Sequence, residues 1–277
     1  YQSNIKWVTV GLKKREDCPH ILGRHFTIEH NNESPNWLKN KLLSIGLNPI
    51  SALVDITNYI LFDIGRPLHV FDAKKISGSL KVRRAKSDEN FVGLDNKNYK
   101  LSEEDLIIAD DEKVVSLAGI MGGINSCVDH NTKEVFLECA YFDPLLIAKT
   151  GRRLNIMSDS RYRFERGIDP EGLYEGLDGA TKLIHNICGG NFSFSEEKGQ
   201  PIYKKKEIEF NSINFDKIVG YKINKERQIE ILKNLCFSVV NQESEKIKIT
   251  PPSWRHDINT ENDIIEEISR IEGYEKI

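Results

Sequence analysis

Apolar and polar positions along the chain recur with two periods, and the change from one to the other marks out its elements. The stretch "SPNWLKNKLLSIG" (34–46) repeats apolar residues at helical spacing, with Trp37, Leu38, Leu42 and Ile45 on one face. Ser34 stands where an N-cap belongs, Pro35 at the first helical position and Gly46 at the stop. "SALVDITNYILFDIG" (51–65) is apolar on most sides and predicts a second, largely buried helix. "DPLLIAKT" (143–150) and "DPEGLYEGLDGATKLIHNICGG" (169–190) both open on Asp-Pro, a helix-start signal. In the second, Leu173, Leu177, Ala180, Ile184 and Ile187 keep helical spacing until Gly189 and Gly190 end the run.

Between these lie stretches of strand character. "WVTVGLKK" (7–14) and "ILGRHFTIEH" (21–30) read as extended, as do "GSLKVRRAK" (78–86), "NFVGLDNKNYKL" (90–101), "DLIIADDEKVVSLAG" (105–119) and "KEVFLECAYF" (133–142). The polar stretch "SFSEEKGQPIYKKKE" (193–207) has linker composition, and its basic run Lys204–Lys206 reads as solvated. Beyond it, "FDKIVG" and "KERQIEILKNLC" predict short helices, "FSVV" and "KIKIT" a β-hairpin, and "ENDIIEEISRIEGY" a closing helix. The expected class is α+β. A mixed module with antiparallel-rich sheets occupies 1–200, and a small winged-helix-like domain occupies 207–277. Tyr1–Asn4 reads as the remainder of a cleavable tag and is set apart from the fold.

Composition narrows the function classes. With 277 residues, 39% of them hydrophobic and 29% charged, the chain suits a soluble protein with a substantial core. No apolar run approaches the roughly 18–20 residues a membrane helix needs, and the start has no apolar segment of signal-peptide type. A net charge of −3 excludes a polybasic nucleic-acid binder, so any contact with nucleic acid rests on local patches. One such patch is 149–167, where six basic residues (Lys149, Arg152, Arg153, Arg161, Arg163, Arg166) face two acidic ones (Asp159, Glu165). The five cysteines form no CxxC pair, which speaks against zinc and for a reducing, cytoplasmic setting.

Several residues can carry chemistry. His69, in "FDIGRPLHVFD", is either a satisfied structural histidine or one at a pocket wall that orients water. Gly119, Gly122 and Gly123 punctuate "SLAGIMGGINS", either as a tight turn or as a place where a ligand comes close to the backbone. Glu138 stands out by physics alone. Strand alternation puts Val135, Leu137 and Cys139 on one face and Glu138 with Phe136 and Ala140 on the other. A glutamate among apolar neighbours on its own face needs a partner, and a ligand hydroxyl can be one. Near the end of the chain, Asp263, Glu266 and Glu267 are spaced i, i+3, i+4, with Asp257 six residues before them. They either complement a helix N-terminus or supply oxygen ligands to Mg²⁺.

Seven stretches together resemble one family: "LVDITNYILFDIGRPLHVFD", "LAGIMGG", "VFLECAYFDP", "SDSRYRFERGIDP", "ICGG", "PPSWRHDI" and "DIIEEISRIEGY". They are similar to the β subunit of bacterial phenylalanine–tRNA ligase and span nearly the whole chain. The resemblance implies an internal piece of that subunit, the editing module followed by a small domain. Its chemistry would be hydrolysis of mischarged Tyr-tRNA(Phe). Aminoacylation with ATP would belong to the α subunit of an α2β2 enzyme, and tRNA(Phe) would be the second partner. Carried over by residue, the editing histidine falls on His69, the strand glutamate on Glu138, the pocket glycines on Gly119 and Gly122, and the "T-D-A" turn on Ser158, Asp159 and Ser160. The hydrolytic roles go to His69, Glu138, Ser158 and Ser160, and Asp159 joins the glycines in substrate binding. Arg161, Arg163 and Arg166 are expected to include contacts to tRNA. Asp257, Asp263, Glu266 and Glu267 match a Mg²⁺ site completed by the α subunit, expected to be empty or merely hydrated in this chain alone. Two positions depart from the family: Ser160, where it prefers alanine, and Asn48, where it often has arginine.

Two other classes compete. A serine hydrolase would use Ser158 or Ser160 with His69 and Asp159, but the chain has no G-x-S-x-G elbow. A scaffold or RNA-binding piece with editing lost is the second.

Overall fold

The computed structural model describes residues 1–9, 17–201, 206–240 and 246–276. The chain forms two compact units, Tyr1–Ile202 and Tyr203–Ile277. In the first, the elements in order are β1 (Trp7–Thr9), β2 (His20–Thr27), α1 (Asn36–Ser44), α2 (Ala52–Asp63), β3 (His69–Asp72), β4 (Leu80–Arg84), β5 (Asn90–Val92), β6 (Asn98–Lys100) and β7 (Leu106–Ala109). Then follow β8 (Val114–Leu117), β9 (Met121–Gly122), β10 (Glu134–Tyr141), α3 (Pro144–Arg153), α4 (Asp159–Phe164), α5 (Leu173–Cys188), β11 (Asn191–Phe192) and β12 (Glu196–Gly199). One five-stranded sheet has the order β1-β4-β7-β8-β9, and a second has β11-β2-β10-β3 with β12 also on β2. All pairings in both are antiparallel except β1 with β4. This is the expected α+β class.

The β10-centred sheet is the middle layer, because both of its faces are apolar. Leu22, Phe26, Val135, Leu137 and Cys139 pack on one side with Leu38 and Leu42 of α1, Leu53, Ile56 and Ile60 of α2, and Leu173, Leu177 and Ile184 of α5. Ile21, Phe71, Phe136 and Ala140 pack on the other with the first sheet (Val82, Ile107, Val115) and with Ile147 and Phe164. The period-2 split foreseen for 135–140 is the split between these two cores.

Local signals were right about existence and less so about ends. Ser34 does not cap α1, whose first flanking residue is Pro35; its hydroxyl instead donates to the Asp55 carboxylate at 2.6 Å. Of the face predicted for α1, Leu38 and Leu42 are buried, while Trp37 and Ile45 are 45% and 49% exposed. A helix this short lays one ridge on the core, and Trp37 meets the edge of Tyr59 instead. Asp143 does cap α3, accepting from the Leu146 N–H at 2.9 Å. Asp169 does not cap α5; its carboxylate accepts from the Glu171 N–H in a turn, and the helix begins three residues after Pro170. The first residues belong to the packing. Ser3 is buried and donates to the Ile5 carbonyl, and the Tyr1 hydroxyl bonds to His25 at 2.8 Å.

The second unit contains β13 (Ile208–Asn211), α6 (Ser212–Val219), α7 (Lys225–Asn234), β14 (Ser238–Val240), β15 (Lys246–Thr250) and α8 (Glu261–Glu272). Its sheet order is β13-β15-β14, antiparallel throughout, around Phe210, Phe215, Leu232, Ile247, Ile264 and Ile268. Sequence reading found the hairpin and the helices but not β13, whose alternation is only Ile208–Glu209–Phe210 and follows a lysine run. Lys204 and Lys205 of that run lie outside the described residues, as does the part of "WVTVGLKK" beyond Thr9. Among the described residues no helix is long and apolar enough to cross a membrane.

Candidate active site

Strand register creates the site. In the antiparallel pairing of β10 with β3, Glu138 stands directly opposite His69, so the two side chains share a face. That face is the one carrying Phe136, turned toward the first sheet. Together they line a cavity of about 70 Å³ with Pro67, Leu68, Ser116, Gly119, Ile120, Met121, Gly122, Ser160 and Phe164. Space of that size holds more than a single water.

Both polar groups are left open. Glu138 is 6% exposed, and among the described residues no hydrogen-bond donor reaches its carboxyl. Burial pushes its pKa up to about 8, so it is mostly protonated at neutral pH. Burial lowers His69 to about 4 and keeps the imidazole neutral; its Nε2 is shielded from water and unpartnered. The edge of its ring meets Phe71, with centroids 4.5 Å apart. A shielded imidazole nitrogen and a carboxyl without a protein donor, side by side in one partly open cavity, are groups for which a ligand can supply the missing partners.

The glycines have separate reasons. A Cβ on Gly122 would lie 2.2 Å from Cε1 of His69, so the imidazole rests on bare backbone there. Gly119 has φ of +68°, a left-handed conformation that lets the chain turn between β8 and β9. Both the turn and the close-approach readings of this loop therefore apply, at different positions.

Helix α4 closes the cavity. Ser158 is its N-cap, accepting from the Arg161 N–H at 3.1 Å, and its hydroxyl donates to the Ile120 carbonyl at 2.7 Å. The Ser160 hydroxyl donates to the Gly119 carbonyl at 3.0 Å. Neither hydroxyl is bonded to an imidazole, and their protons are committed to backbone oxygens. Asp159 is exposed, 3.5 Å from Arg163, and outside the cavity lining. Asn48 is exposed and also outside it.

The three arginines separate. Arg161 is 7% exposed, bonds to the Ile156 carbonyl at 2.5 Å and pairs with Glu165 at 3.0 Å. Its stem and guanidinium cover Gly151, where a Cβ would come within 2.2 Å. Arg161 therefore ties the segment down and is not free to meet a phosphate. Arg163 stacks on Phe62 at 4.3 Å and donates to the Asp159 carbonyl at 3.0 Å with its side chain 20% exposed, while Arg166 stacks on Tyr162 at 3.6 Å and is 54% exposed. Sequence reading missed Ser116 and Phe164 as lining residues. Ser116 gave the same signal as Glu138, a polar residue inside the apolar run "VVSLA".

The acidic set of the second unit does not gather. Among the described residues no three His, Cys, Asp or Glu side chains are placed to hold a metal. Asp263 closes the capping box of α8 with Thr260. Asp257 is gripped by Arg255 at 2.7 and 2.9 Å, and Glu267 by Arg255 at 2.8 Å and Arg270 at 2.7 Å. Glu266 is exposed. The i, i+3, i+4 spacing is real, but two arginine hydrogen bonds, both to Oε2, hold Glu267 down to about pKa 2, and Arg255 occupies both oxygens of Asp257. As arranged here, these residues do not fit Mg²⁺.

Comparison with known proteins adds the following. Residues 17–189 match the family model described as B3/4 domain, and residues 208–274 that described as tRNA synthetase B5 domain. The chain is 44% identical over 270 residues to the phenylalanine–tRNA ligase beta subunit of Mesorhizobium japonicum, covering 98% of this chain and 34% of that protein. It is 45% identical over 247 residues to that of Brucella suis biovar 1, covering 89% and 31%. It spans about a third of the length of these curated relatives. The crystal structure of an N-terminal fragment of the phenylalanyl-tRNA synthetase beta-subunit from Pyrococcus horikoshii aligns over 96% of this chain and 74% of its own, with a TM-score of 0.43 and 17% identity.

Proposed function

The chain belongs to the phenylalanine–tRNA ligase beta-subunit family, and on that premise we propose that its first unit hydrolyses Tyr-tRNA(Phe), removing tyrosine wrongly attached to the phenylalanine tRNA. The reading rests above all on one observation: Glu138, buried and without a hydrogen-bond donor among the described residues, stands across the strand register from the half-buried His69, whose Nε2 has no partner, in one cavity. A phenol differs from a phenyl ring by one hydroxyl, and a buried carboxyl with no protein partner is what such a hydroxyl satisfies. Phenylalanine would leave Glu138 as it stands, and an unmet polar group costs about 1–3 kcal/mol.

The rest of the site does simple work. The ring lies against Phe164, beside the imidazole that covers Gly122, and a turn of that neutral His69 ring opens Nε2 to accept a hydrogen bond from the attacking water. Water oxygen adds to the ester carbonyl, the acyl C–O bond breaks, and the tRNA 3′ hydroxyl leaves with a proton. Orienting a water beside an activated ester is sufficient chemistry, and no side-chain nucleophile is required. Ser160 lines the wall, and Ser158, outside the lining, caps α4 and holds the Ile120 carbonyl, which removes support for the serine-hydrolase alternative. Arg163 and Arg166 are assigned to the tRNA. In the whole enzyme this subunit works with an α subunit in an α2β2 assembly that uses ATP to join phenylalanine to tRNA(Phe) in the cytoplasm. No residue of this chain is assigned to ATP, and no step is routed through Mg²⁺.

The test is Tyr-tRNA(Phe) hydrolysis by the full enzyme carrying Glu138→Ala or His69→Ala, with Phe-tRNA(Phe) as control. Both variants are expected to lose the reaction. Unchanged rates for both would overturn the assignment and leave a scaffold role.

A further inference from the structure

Three successive backbone carbonyls at the turn of the cavity each receive one serine hydroxyl. Gly119 takes Ser160 at 3.0 Å, Ile120 takes Ser158 at 2.7 Å, and Met121 takes Ser116 at 3.2 Å. A carbonyl can only accept, so in each pair the hydroxyl proton is committed to the backbone. What such a hydroxyl has left to offer is a lone pair. Two of the three, Ser116 (4% exposed) and Ser160, line the cavity.

The lining is correspondingly one-sided. It holds two serine acceptors, a carboxyl and a neutral imidazole, and no lysine or arginine. A space walled by acceptors and free of fixed positive charge suits a group with several N–H donors. On the proposed function the substrate carries one beside the scissile ester, the α-ammonium group. We infer that Ser116 and Ser160 are specificity-determining residues that accept hydrogen bonds from the primary amine of the aminoacyl group. Glu138 then reads the far end of the amino acid and the serine pair reads the near end. N-blocked aminoacyl esters, which lack the ammonium donors, lose the benefit of the pair.

The experiment compares Tyr-tRNA(Phe) with N-acetyl-Tyr-tRNA(Phe) as substrates of the full enzyme, wild type and with Ser116→Ala, Ser116→Cys and Ser160→Ala. Thermal melts check that each variant folds. The half-buried Ser160 carries the test should both replacements at the buried Ser116 unfold. Each alanine variant is expected to lower kcat/KM on the free-amine substrate by about tenfold. The rate on the N-acetyl substrate should hardly change, so the wild-type preference collapses toward one. Equal losses on both substrates would mean that the serines hold water or only the loop, and would overturn the inference. So would no loss on either. If the wild-type enzyme hydrolyses neither substrate, it is the proposed function that fails, a result separate from both of these.

Discussion

Two glutamates on the two units of this chain make opposite use of burial. Glu138, in the first unit, is enclosed without a hydrogen-bond donor, and its pKa rises to about 8. Glu267, in the second, is as well covered but lies between Arg255 and Arg270, and its pKa falls to about 2. One carboxyl is an unmet demand and the other a closed account. Enclosure alone therefore does not mark a functional acid; enclosure with a missing partner does. The same contrast separates His69, whose Nε2 has no partner, from Ser158, whose donor and acceptor capacity are both in use.

The contrast can be broken most sharply at Glu138. Glu138→Ala should lower Tyr-tRNA(Phe) hydrolysis by up to about 100-fold, the worth of a hydrogen bond to a charged or strongly polar group. A rate within twofold of wild type would mean that the open carboxyl reads nothing.

Next in size is Gly122→Ala. The added methyl enters the space of the His69 ring, so the imidazole must move. We expect roughly tenfold slower hydrolysis and a loss of about 1–3 kcal/mol in stability, measured by kinetics and chemical denaturation. Retention of both would show that the ring is not held where the cavity needs it.

The pH dependence of stability distinguishes the two acids by sign. Glu138 has its pKa raised from 4.5, so its favourable contribution is complete below pH 4.5 and is lost as pH rises toward 8. Glu267 has its pKa lowered from 4.5, so its contribution is present above pH 4.5 and lost as pH falls toward 2. Thermal melts across this range should show Glu138→Gln flattening the alkaline decline and Glu267→Gln flattening the acid one. At neutral pH, Glu267→Gln should cost only about 1 kcal/mol, because solvent screens its arginine partners. Slopes of the same sign for both would undo the comparison.

The smallest effect concerns Mg²⁺. With Asp257 and Glu267 committed to arginines and Asp263 to a cap, millimolar Mg²⁺ should leave the melting temperature of this chain unchanged. A saturable shift abolished by Asp257→Asn would show that the cluster rearranges around a cation.

Much of this was legible from local pattern. Alternation over 134–141 told which side of the strand Glu138 would take, since the period of a strand is a property of its backbone. Helical spacing located the long α5, where five apolar positions repeat, although Asp169 misplaced its start because Asp-Pro also makes turns. The loop of Gly119 and Gly122 was recognisable as special, but not that one glycine serves a turn and the other a histidine ring. That distinction depends on β3 lying beside β10, a pairing between residues far apart in the chain. The acidic set shows how far spacing alone reaches. Spacing along one helix predicted a shared face, but Arg255, outside that helix, reaches two of the four carboxylates.

The sequence by itself determined the periodicities, hence the elements, their faces and the apolar surroundings of Glu138, because these follow from backbone geometry acting over a few residues. Only the tertiary structure decided which polar groups found partners. Glu138 faces His69 across a register, three serines meet three consecutive carbonyls, and Arg161 turns inward while Arg166 stays exposed. Hydrogen bonds and ion pairs act over about 3 Å between groups that the chain brings together from distant positions, and no local pattern specifies them.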